Sequence, residues 1–292
     1  MEKAIRNFAR QLEYKPAIEN AGGLKKYSRF AICGMGGSNL AGKILRTLNP
    51  ELPVILHRSY GLPRMPHASL NDSLIIAISY SGNTEETIDA FTEAWKNNVP
   101  VAVVATGGKL IELAKKEGVP FIELPAVGIQ PRMALGYMAK ALLTLMGDEK
   151  TVREMEELGV NFKPADYGAI GKALAKKMKD GIPLVYASGP NFPLAYAWKI
   201  KFNETAKVPA FANMFPELNH NEIMSFAGGP GAQELAGHFR FILIKDEHDD
   251  GRIVKRMNAW EKLFGEKGFK IENAPLSGKT AAHKAVVKVS VQ

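Results

Sequence analysis

A hydroxyl-rich turn is the segment of this sequence whose residue types could most directly carry out chemistry. Residues 79–84 read Ser-Tyr-Ser-Gly-Asn-Thr and follow the apolar run Leu74–Ile78, so they lie where a buried strand would pass into a helix beginning at Glu85. A helix N-terminus presents backbone N–H groups without intrahelical partners, and short hydroxyl side chains add further donors. This combination suits a phosphate monoester. The structural alternative is an ordinary Ser/Thr-rich helix cap.

A second turn of similar design lies upstream. Residues 34–39 read Gly-Met-Gly-Gly-Ser-Asn and separate the strand-like Phe30–Cys33 from the helix-like Leu40–Leu48. Two such turns in one domain favour a phosphate site over two unrelated caps. The glycines do not form the dinucleotide-binding fingerprint, because the third glycine is out of place and no ribose-binding acid follows at the usual distance.

The elements that must position these turns alternate between strand and helix. The strands are almost continuously apolar, which indicates burial on both faces and therefore a parallel sheet with helices on each side. The strands and helices predicted in the first half are, in order, Arg29–Cys33, Leu40–Leu48, Val54–His57, Leu74–Ser79, Glu85–Asn97, Val101–Ala105, Lys109–Glu117, Phe121–Glu123 and Ala134–Met146.

The second half repeats this scheme, which predicts two tandem α/β domains, residues 1–150 and 151–292. The polar segment 147–167 is interpreted as their connection. The elements predicted after it are the strand Pro183–Ser188, a helix from Pro193 to Lys207, the strands Val208–Asn213 and Phe239–Lys245, the helix Arg252–Gly265 and the strand Phe269–Glu272.

The second copy carries acids where the first carries hydroxyls. Residues 246–250 read Asp-Glu-His-Asp-Asp, and four carboxylates would repel a phosphate. A divalent-cation site is one interpretation of this loop, and a solvated loop that caps the next helix is the favoured one. We therefore expect the phosphate site in the first domain, with the second contributing other groups to a shared site at the carboxyl ends of the strands.

Three further side chains have the chemistry of acid–base or oxyanion-stabilising groups. Glu204 is either one more exposed helix acid or a partly desolvated carboxylate able to act as a general base. His220, in a Pro- and Asn-rich loop, is either an exposed bystander or a group that exchanges a proton with a sugar ring oxygen near neutral pH. Arg132 is either a capping or ion-pair residue or a rigidly held stabiliser of an enediolate. The remaining histidines lack metal-ligand spacing, so no metal site is predicted.

The composition excludes several classes of protein. The chain has 292 residues, 46% hydrophobic and 23% charged, which is typical of a soluble two-domain globular protein. Its single cysteine, Cys33, excludes an internal disulfide framework and is expected in the core. With no secretory signal and no membrane span visible, the sequence predicts a cytoplasmic protein. The net charge of +8 comes without nucleic-acid motifs and would help to attract an anionic metabolite.

Taken in order, the motifs resemble those of the bifunctional phosphoglucose/phosphomannose isomerases of archaea and bacteria, members of the sugar isomerase (SIS) superfamily. The resemblance covers most of the chain, from about residue 25 to about residue 245. The two hydroxyl-rich turns are shared across the superfamily, and the later segments are more specific to the isomerases. The motifs are residues 34–38, residues 79–84, Pro131-Arg132, Asn203-Glu204 and Asn-His-Asn-Glu at 219–222.

The resemblance implies a reaction that needs neither cofactor nor metal. It interconverts glucose 6-phosphate or mannose 6-phosphate with fructose 6-phosphate as part of carbohydrate metabolism. Hydroxyl groups would hold the phosphate, and two glycines would allow the backbone to approach it closely. On this resemblance the phosphate-binding residues are Gly36, Gly37, Ser38, Ser79, Ser81 and Thr84.

The resemblance also implies the catalytic roles. Glu204 would move a proton between C1 and C2 through a cis-enediol, and Arg132 would stabilise the charge that develops on this intermediate. His220 would assist ring opening. In the family this histidine reaches the site from the neighbouring subunit, which implies a homodimer with shared active sites and a hexose 6-phosphate as the other partner.

One family feature has no match in this sequence. Family members continue into a final helix with a lysine that helps to open the sugar ring, so the second domain is interpreted as shortened, and Lys279, Lys284 and Lys288 receive no catalytic role. The alternative function is a catalytically weak or inactive sugar-phosphate-binding sensor or regulatory protein. A further alternative is a related enzyme acting on a pentose or amino-sugar phosphate.

Overall fold

The computed structural model describes residues 2–49 and 51–276. The chain forms two compact units that divide between Lys163 and Pro164. Lys279, Lys284 and Lys288 lie outside the described residues. Within the described ranges, every helix is too short or too polar to cross a bilayer.

The first unit is built on a five-stranded sheet in which all neighbouring strands are parallel, in the order β2-β1-β3-β4-β5. Strands β1, β3 and β4 are buried along their whole length, as expected when helices cover both faces of a sheet. The strands are β1 (Phe30–Cys33), β2 (Val54–His57), β3 (Leu74–Ile78), β4 (Val101–Ala105) and β5 (Phe121–Glu123).

Eight α-helices accompany this sheet within the described part of the unit. They are α1 (Glu2–Arg6), α2 (Ala9–Glu13), α3 (Gly36–Leu48), α4 (His67–Asn71), α5 (Glu85–Lys96), α6 (Gly108–Glu117), α7 (Leu135–Met146) and α8 (Glu149–Asn161). Four of them, α3 to α6, connect successive strands, as in the predicted alternation.

Two of these helical regions were not among the elements predicted from the sequence. The charged N-terminal segment forms α1 and α2, and α2 packs against α7 and α8. The segment expected to be a connection contains α8, which buries Thr151, Met155 and Gly159 at a spacing of four residues. The sequence did not predict this helix, because its narrow buried face is surrounded by many charged residues. Because α8 packs within the first unit, the division falls at residue 163 instead of after residue 150.

The second unit repeats the first in outline. Its sheet has the order β7-β6-β8-β9 with all neighbours parallel, matching β2-β1-β3-β4, so the predicted tandem α/β architecture is confirmed. The elements are α9 (Gly168–Met178), β6 (Ile182–Ser188), α10 (Phe192–Lys201), β7 (Phe211–Phe215), α11 (Glu222–Phe226), α12 (Pro230–Ala236), β8 (Phe239–Lys245), α13 (Gly251–Glu266) and β9 (Ile271–Pro275).

An aromatic cluster forms the core beneath α13 in the second unit. Tyr186 on β6 and Phe241 on β8 are fully buried against Trp260 and Phe264 of α13. The ring centroids of Trp260 and Phe264 lie 4.8 Å apart, and those of Tyr186 and Trp260 lie 5.4 Å apart, edge to face. Aromatic pairs in such geometries each add about 0.5–1.5 kcal/mol beyond area burial, so this cluster holds β6 firmly.

Candidate active site

Strand order places the two hydroxyl-rich turns side by side. From β1 the chain crosses to β2 at one side and then returns to β3 at the other, so the order reverses between β1 and β3. Ligands of open α/β sheets bind at such a switch point, outside the carboxyl ends of the strands. Residues 34–39 follow β1 and residues 79–84 follow β3. Both predicted turns therefore lie at the position that the topology favours for a ligand.

The turn after β3 gathers three hydroxyl groups. The Ser79 Oγ lies 2.7 Å from the Thr84 Oγ1 and 3.5 Å from the Ser81 Oγ, and it accepts a hydrogen bond from the Gly82 backbone nitrogen at 3.2 Å. Ser79 is buried, whereas Ser81 is exposed. Thr84 occupies the capping position of α5, but its hydroxyl bonds to Ser79. The cluster thus offers hydroxyl donors beside the positive end of a helix, where an oxyanion is stabilised.

The loop that connects β4 and α6 packs against this turn and forms a hydrogen bond with it. Gly82 has a φ of 73°, and a Cβ added there would lie 1.8 Å from the carbonyl oxygen of Gly107. The Thr106 hydroxyl donates to the carbonyl oxygen of Tyr80 at 2.7 Å. Sequence reasoning missed Thr106 and Gly107. The available signal was their position directly after the next parallel strand, at the same edge of the sheet.

The turn after β1 is linked to the second turn and to Arg132. Helix α3 begins at Gly36, earlier than expected, so Ser38 lies in its first turn. The buried Ser38 Oγ accepts a hydrogen bond from the Tyr80 backbone nitrogen at 3.0 Å. A Cβ added at Gly37 would lie 2.8 Å from the Arg132 backbone nitrogen, so glycine is needed for this approach. Gly36 is exposed and has a φ of 49°.

Arg132 lies in the short 3₁₀ turn Pro131–Met133 that precedes α7 and is only 9% exposed. Through its contact with Gly37 it belongs to the same group as the two hydroxyl-rich turns. The first unit therefore brings together Gly36, Gly37, Ser38, Ser79, Ser81, Thr84 and Arg132.

Glu204 lies in the second unit, in a π-helical turn, Phe202–Ala206, that follows α10. The predicted α-helix to Lys207 therefore ends at Lys201, and Lys207 adopts a left-handed conformation with a φ of 58°. Single π-helical turns inside helices occur frequently at functional sites. The Asn203 Oδ1 accepts a hydrogen bond from the Ala210 backbone nitrogen at 2.8 Å, which fixes the turn. Glu204 is exposed in the single chain, as in the first of the two alternatives that the sequence analysis left open for it.

His220 ends the 3₁₀ turn Glu217–His220 after β7 and is exposed. The segment that follows it is fixed by Glu222, which accepts hydrogen bonds from the Tyr186 hydroxyl and the Asn213 side-chain amide. Burial and the neighbouring Glu222 carboxylate raise the pKa of Tyr186, so its hydroxyl stays protonated and donates. Tyr186 on β6 and Asn213 on β7 therefore fix the position of residues 220–222. Sequence reasoning missed Tyr186 and Asn213, because nothing local links them to residue 222.

The acidic loop of the second unit behaves as a helix cap. Asp250 precedes α13, and its Oδ1 accepts a hydrogen bond from the Arg252 backbone nitrogen at 2.8 Å, as expected. The Asp249 Oδ1 accepts one from the Asn191 side-chain amide at 3.2 Å, and burial raises the pKa of Asp249. Across residues 2–49 and 51–276, no group of three or more His, Cys, Asp or Glu side chains is placed to hold a metal ion.

Comparison with known sequences gives the family. A family profile described as the bacterial phospho-glucose isomerase C-terminal SIS domain matches residues 169–291. The bifunctional phosphoglucose/phosphomannose isomerase of Aquifex aeolicus is 34% identical over 272 residues, which cover 91% of this chain and 81% of that protein. The chain belongs to the bifunctional phosphoglucose/phosphomannose isomerase family. A second relative of the same name, from Thermoplasma volcanium, is 37% identical over 243 residues, which cover 82% of this chain and 75% of that protein.

Solved structures show that the family fold is shared with more distant proteins. The crystal structure of glucosamine-6-phosphate deaminase from Thermotoga maritima aligns with a TM-score of 0.69 at 13% identity, covering 100% of this chain and 91% of that one. At this identity the match establishes the fold alone. The family assignment comes from the relatives, and it agrees with the resemblance found in the sequence motifs.

Proposed function

We propose that this protein interconverts glucose 6-phosphate and mannose 6-phosphate with fructose 6-phosphate. Family membership supports the reaction class, since relatives that carry this activity in their names are 34% and 37% identical over most of the chain. The observation that carries the proposal is the linked pair of turns: Tyr80 N–H bonds to Ser38 Oγ, and Ser79 Oγ lies 2.7 Å from Thr84 Oγ1. Two helix N-termini and their hydroxyls thereby converge where one phosphate would bind.

The proposed phosphate site uses neutral donors. Hydroxyl and backbone N–H groups bind the phosphate through directional hydrogen bonds, which orient the sugar without a positively charged side chain. Glycine at the start of α3 lets the backbone come close to the ligand. The residues assigned to this site are Gly36, Gly37, Ser38, Ser79, Ser81 and Thr84.

The proposed chemistry is a proton transfer along the open-chain sugar. The Glu204 carboxylate takes the C2 proton of the aldose, the C–H electron pair forms the C1–C2 double bond, and the carbonyl oxygen O1 becomes an enediolate oxygen that is then protonated. Returning the proton to C1, with loss of the O2 hydroxyl proton, gives the ketose. Arg132 stabilises the negative charge on the intermediate, and a positioned cation suits that role.

His220 is proposed to transfer a proton during ring opening, and the active protein is proposed to be a homodimer. In this arrangement, His220 of the partner subunit serves each active site. The exposure of His220 in the single chain is compatible with a role across a subunit interface. Size-exclusion chromatography with light scattering tests the dimer, and mixing inactive Glu204→Gln and His220→Ala chains tests the sharing. Recovered activity in the mixture supports shared sites, and a mixture without activity contradicts them.

The decisive experiment measures turnover of fructose 6-phosphate. Formation of glucose 6-phosphate is followed by coupling to its dehydrogenase, and mannose 6-phosphate is detected by NMR, each with and without a chelator. We expect both products at rates that the chelator does not change. Purified protein that binds fructose 6-phosphate but forms neither product would refute the isomerase assignment.

A sugar-phosphate sensor is the second candidate function. It is favoured by the exposure of Glu204 in the single chain, because enzymes that transfer protons commonly exclude bulk water from the reacting groups. A sensor would retain the Ser/Thr site and dispense with proton transfer. Exchange of the C2 proton with deuterated solvent separates the two, since an isomerase incorporates deuterium into the product and a sensor leaves the bound sugar unlabelled.

A further inference from the structure

A buried glutamine from the N-terminal helix α2 holds the backbone next to Arg132. Gln11 is only 2% exposed, and its side-chain amide uses both its donor and its acceptor. The Nε2 donates to the carbonyl oxygen of Met133 at 2.7 Å, and the Oε1 accepts from the backbone nitrogen of Gly136 at 3.0 Å. These partners lie 122 and 125 residues away in the sequence, so only the tertiary fold brings them to Gln11.

The start of α7 needs a partner of this kind. The first N–H groups of a helix have no intrahelical acceptor and are commonly capped by a preceding Ser, Thr, Asp or Asn side chain. In α7 the capping position is Ala134, whose methyl group cannot accept a hydrogen bond. The Gln11 Oε1 therefore serves as the cap, supplied by a different helix, directly after the turn that carries Arg132.

Helix α3 contacts the same turn as Gln11. The close approach of Gly37 to the Arg132 backbone nitrogen leaves no room for a methyl group between them. A Cβ added at Gly136 would lie 2.7 Å from the Cβ of Gln11, so the contact with α2 is equally tight. The backbone of residues 131–136 is therefore confined between α3 and α2.

We propose that Gln11 is a positioning residue for Arg132 in the isomerase reaction. This proposal rests on the proposed function, in which Arg132 stabilises the enediolate. A group that acts on charge developing in the transition state affects kcat more than KM when it is displaced. A displacement on the order of 1 Å can reduce the rate about 100-fold, so a modest release of the turn is measurable.

The first test compares Gln11→Met with the matched control Lys140→Met. Lys140 is fully buried, and its Nζ donates to the Leu12 carbonyl oxygen at 2.7 Å and to Glu156 at 3.0 Å, so it joins α2 to α7 further from Arg132. In Gln11→Met we expect kcat for fructose 6-phosphate to fall about tenfold or more, with KM within about twofold. Lys140→Met should lower Tm at least as much and keep kcat within about twofold. Equal losses of kcat in the two variants would overturn the proposal.

A double-mutant cycle with Arg132→Lys tests whether Gln11 acts through Arg132. If it does, adding Gln11→Met to Arg132→Lys lowers kcat by no more than about twofold further, because the interaction it supports is already lost. Losses that multiply as independent effects would overturn the proposal.

Amide hydrogen exchange of the full chain tests the positional claim without turnover. We expect faster exchange at Gly136 in Gln11→Met and unchanged exchange in Lys140→Met, and unchanged exchange in Gln11→Met would overturn the claim. Gln11→Glu keeps an acceptor for Gly136 but loses the donor to Met133, so it should retain slow exchange at Gly136 with a reduced kcat. If Gln11→Met does not fold, the Gln11→Glu variant is used in its place in these tests. If the wild-type protein shows no turnover, the proposed function fails, and the exchange result alone decides whether Gln11 holds the turn.

Discussion

Replacing Gly82 with alanine should damage the turn that is proposed to bind phosphate, in a way that can be measured. Its φ of 73° is a left-handed conformation that costs a residue with a Cβ about 1–2 kcal/mol. The added Cβ would lie 1.8 Å from the carbonyl oxygen of Gly107, which is backbone and cannot rotate away. Relieving such overpacking typically costs a further 1–3 kcal/mol, so we expect the free energy of unfolding to fall by about 2–5 kcal/mol.

Gly118→Ala is the matched control for this variant. Gly118 follows the last residue of α6 with a φ of 68°, and apart from its neighbours in the chain none of the described residues places an atom within 4 Å of an added Cβ. This change therefore carries only the conformational cost of about 1–2 kcal/mol. The difference between the Gly82 and Gly118 variants, about 1–3 kcal/mol, isolates the close approach to Gly107.

Urea denaturation followed by circular dichroism gives the two free energies, and calorimetry gives the Kd for fructose 6-phosphate. Because Gly82 lies between Ser81 and Thr84 in the turn, Gly82→Ala should displace both hydroxyls and weaken binding about tenfold or more, equivalent to about 1.4 kcal/mol. Gly118→Ala should leave the Kd within about twofold. Equal stabilities for the two variants, or an unchanged Kd in Gly82→Ala, would refute the reasoning that this contact shapes the phosphate site.

Three further outcomes are expected. Glu204→Gln removes the proposed base with little change in shape, so kcat should fall about 100-fold or more while the calorimetric Kd stays within about twofold; full activity would refute the assignment. Tyr186→Phe leaves the partly buried Glu222 without one donor, so the free energy of unfolding in urea should fall by about 1–3 kcal/mol, and no change would show that the bond is not needed. Burial raises the pKa of Cys33 from 9.0 to about 12. Its thiol should therefore resist a maleimide in the native protein at about pH 8 and react once the protein is unfolded in urea. Rapid labelling of the native protein would contradict the burial of this thiol. Because the unfolded thiol ionises first, the stabilisation from the protonated thiol is present below about pH 9 and is lost as the pH rises towards 12.

The strands and their turns could be predicted because their signals are local. Val101–Ala105 and Phe239–Lys245 have the predicted bounds, since each is a mostly apolar run, the first between Pro100 and Thr106 and the second between His238 and Asp246. The hydroxyls of residues 79–84 and the glycines of residues 34–37 follow such runs directly. Parallel strand order then places both turns at one edge of the sheet, so residue types and positions together indicated the site.

The supporting residues could not be predicted because their roles depend on distant partners. Gln11 lies in a short charged segment and is buried only because Met133 and Gly136 receive its side chain. Tyr186 has the pattern of a core aromatic residue, and its bond to Glu222 depends on where the chain returns after β7. Polar side chains of this kind are buried only where the tertiary fold supplies their hydrogen-bond partners, so no local sequence pattern identifies them.

The two units show how one topology can support opposite electrostatic environments. In the second unit, Asp250 precedes α13 and accepts a hydrogen bond from the first turn of that helix, so a carboxylate of the chain itself occupies the place of an anion. At the matching position of the first unit, the Thr84 hydroxyl bonds to Ser79 instead of capping α5, so the first N–H groups of α5 stay available to a ligand although Glu85 and Glu86 lie in the same turn. A helix N-terminus stabilises one negative charge well, whether this comes from the chain or from a phosphate. Thr84→Asp should therefore place a carboxylate at the start of α5, as Asp250 does at the start of α13. We expect this variant to lose binding of fructose 6-phosphate in calorimetry while its urea midpoint is preserved. Retained binding would show that the N-terminus of α5 does not govern anion recognition.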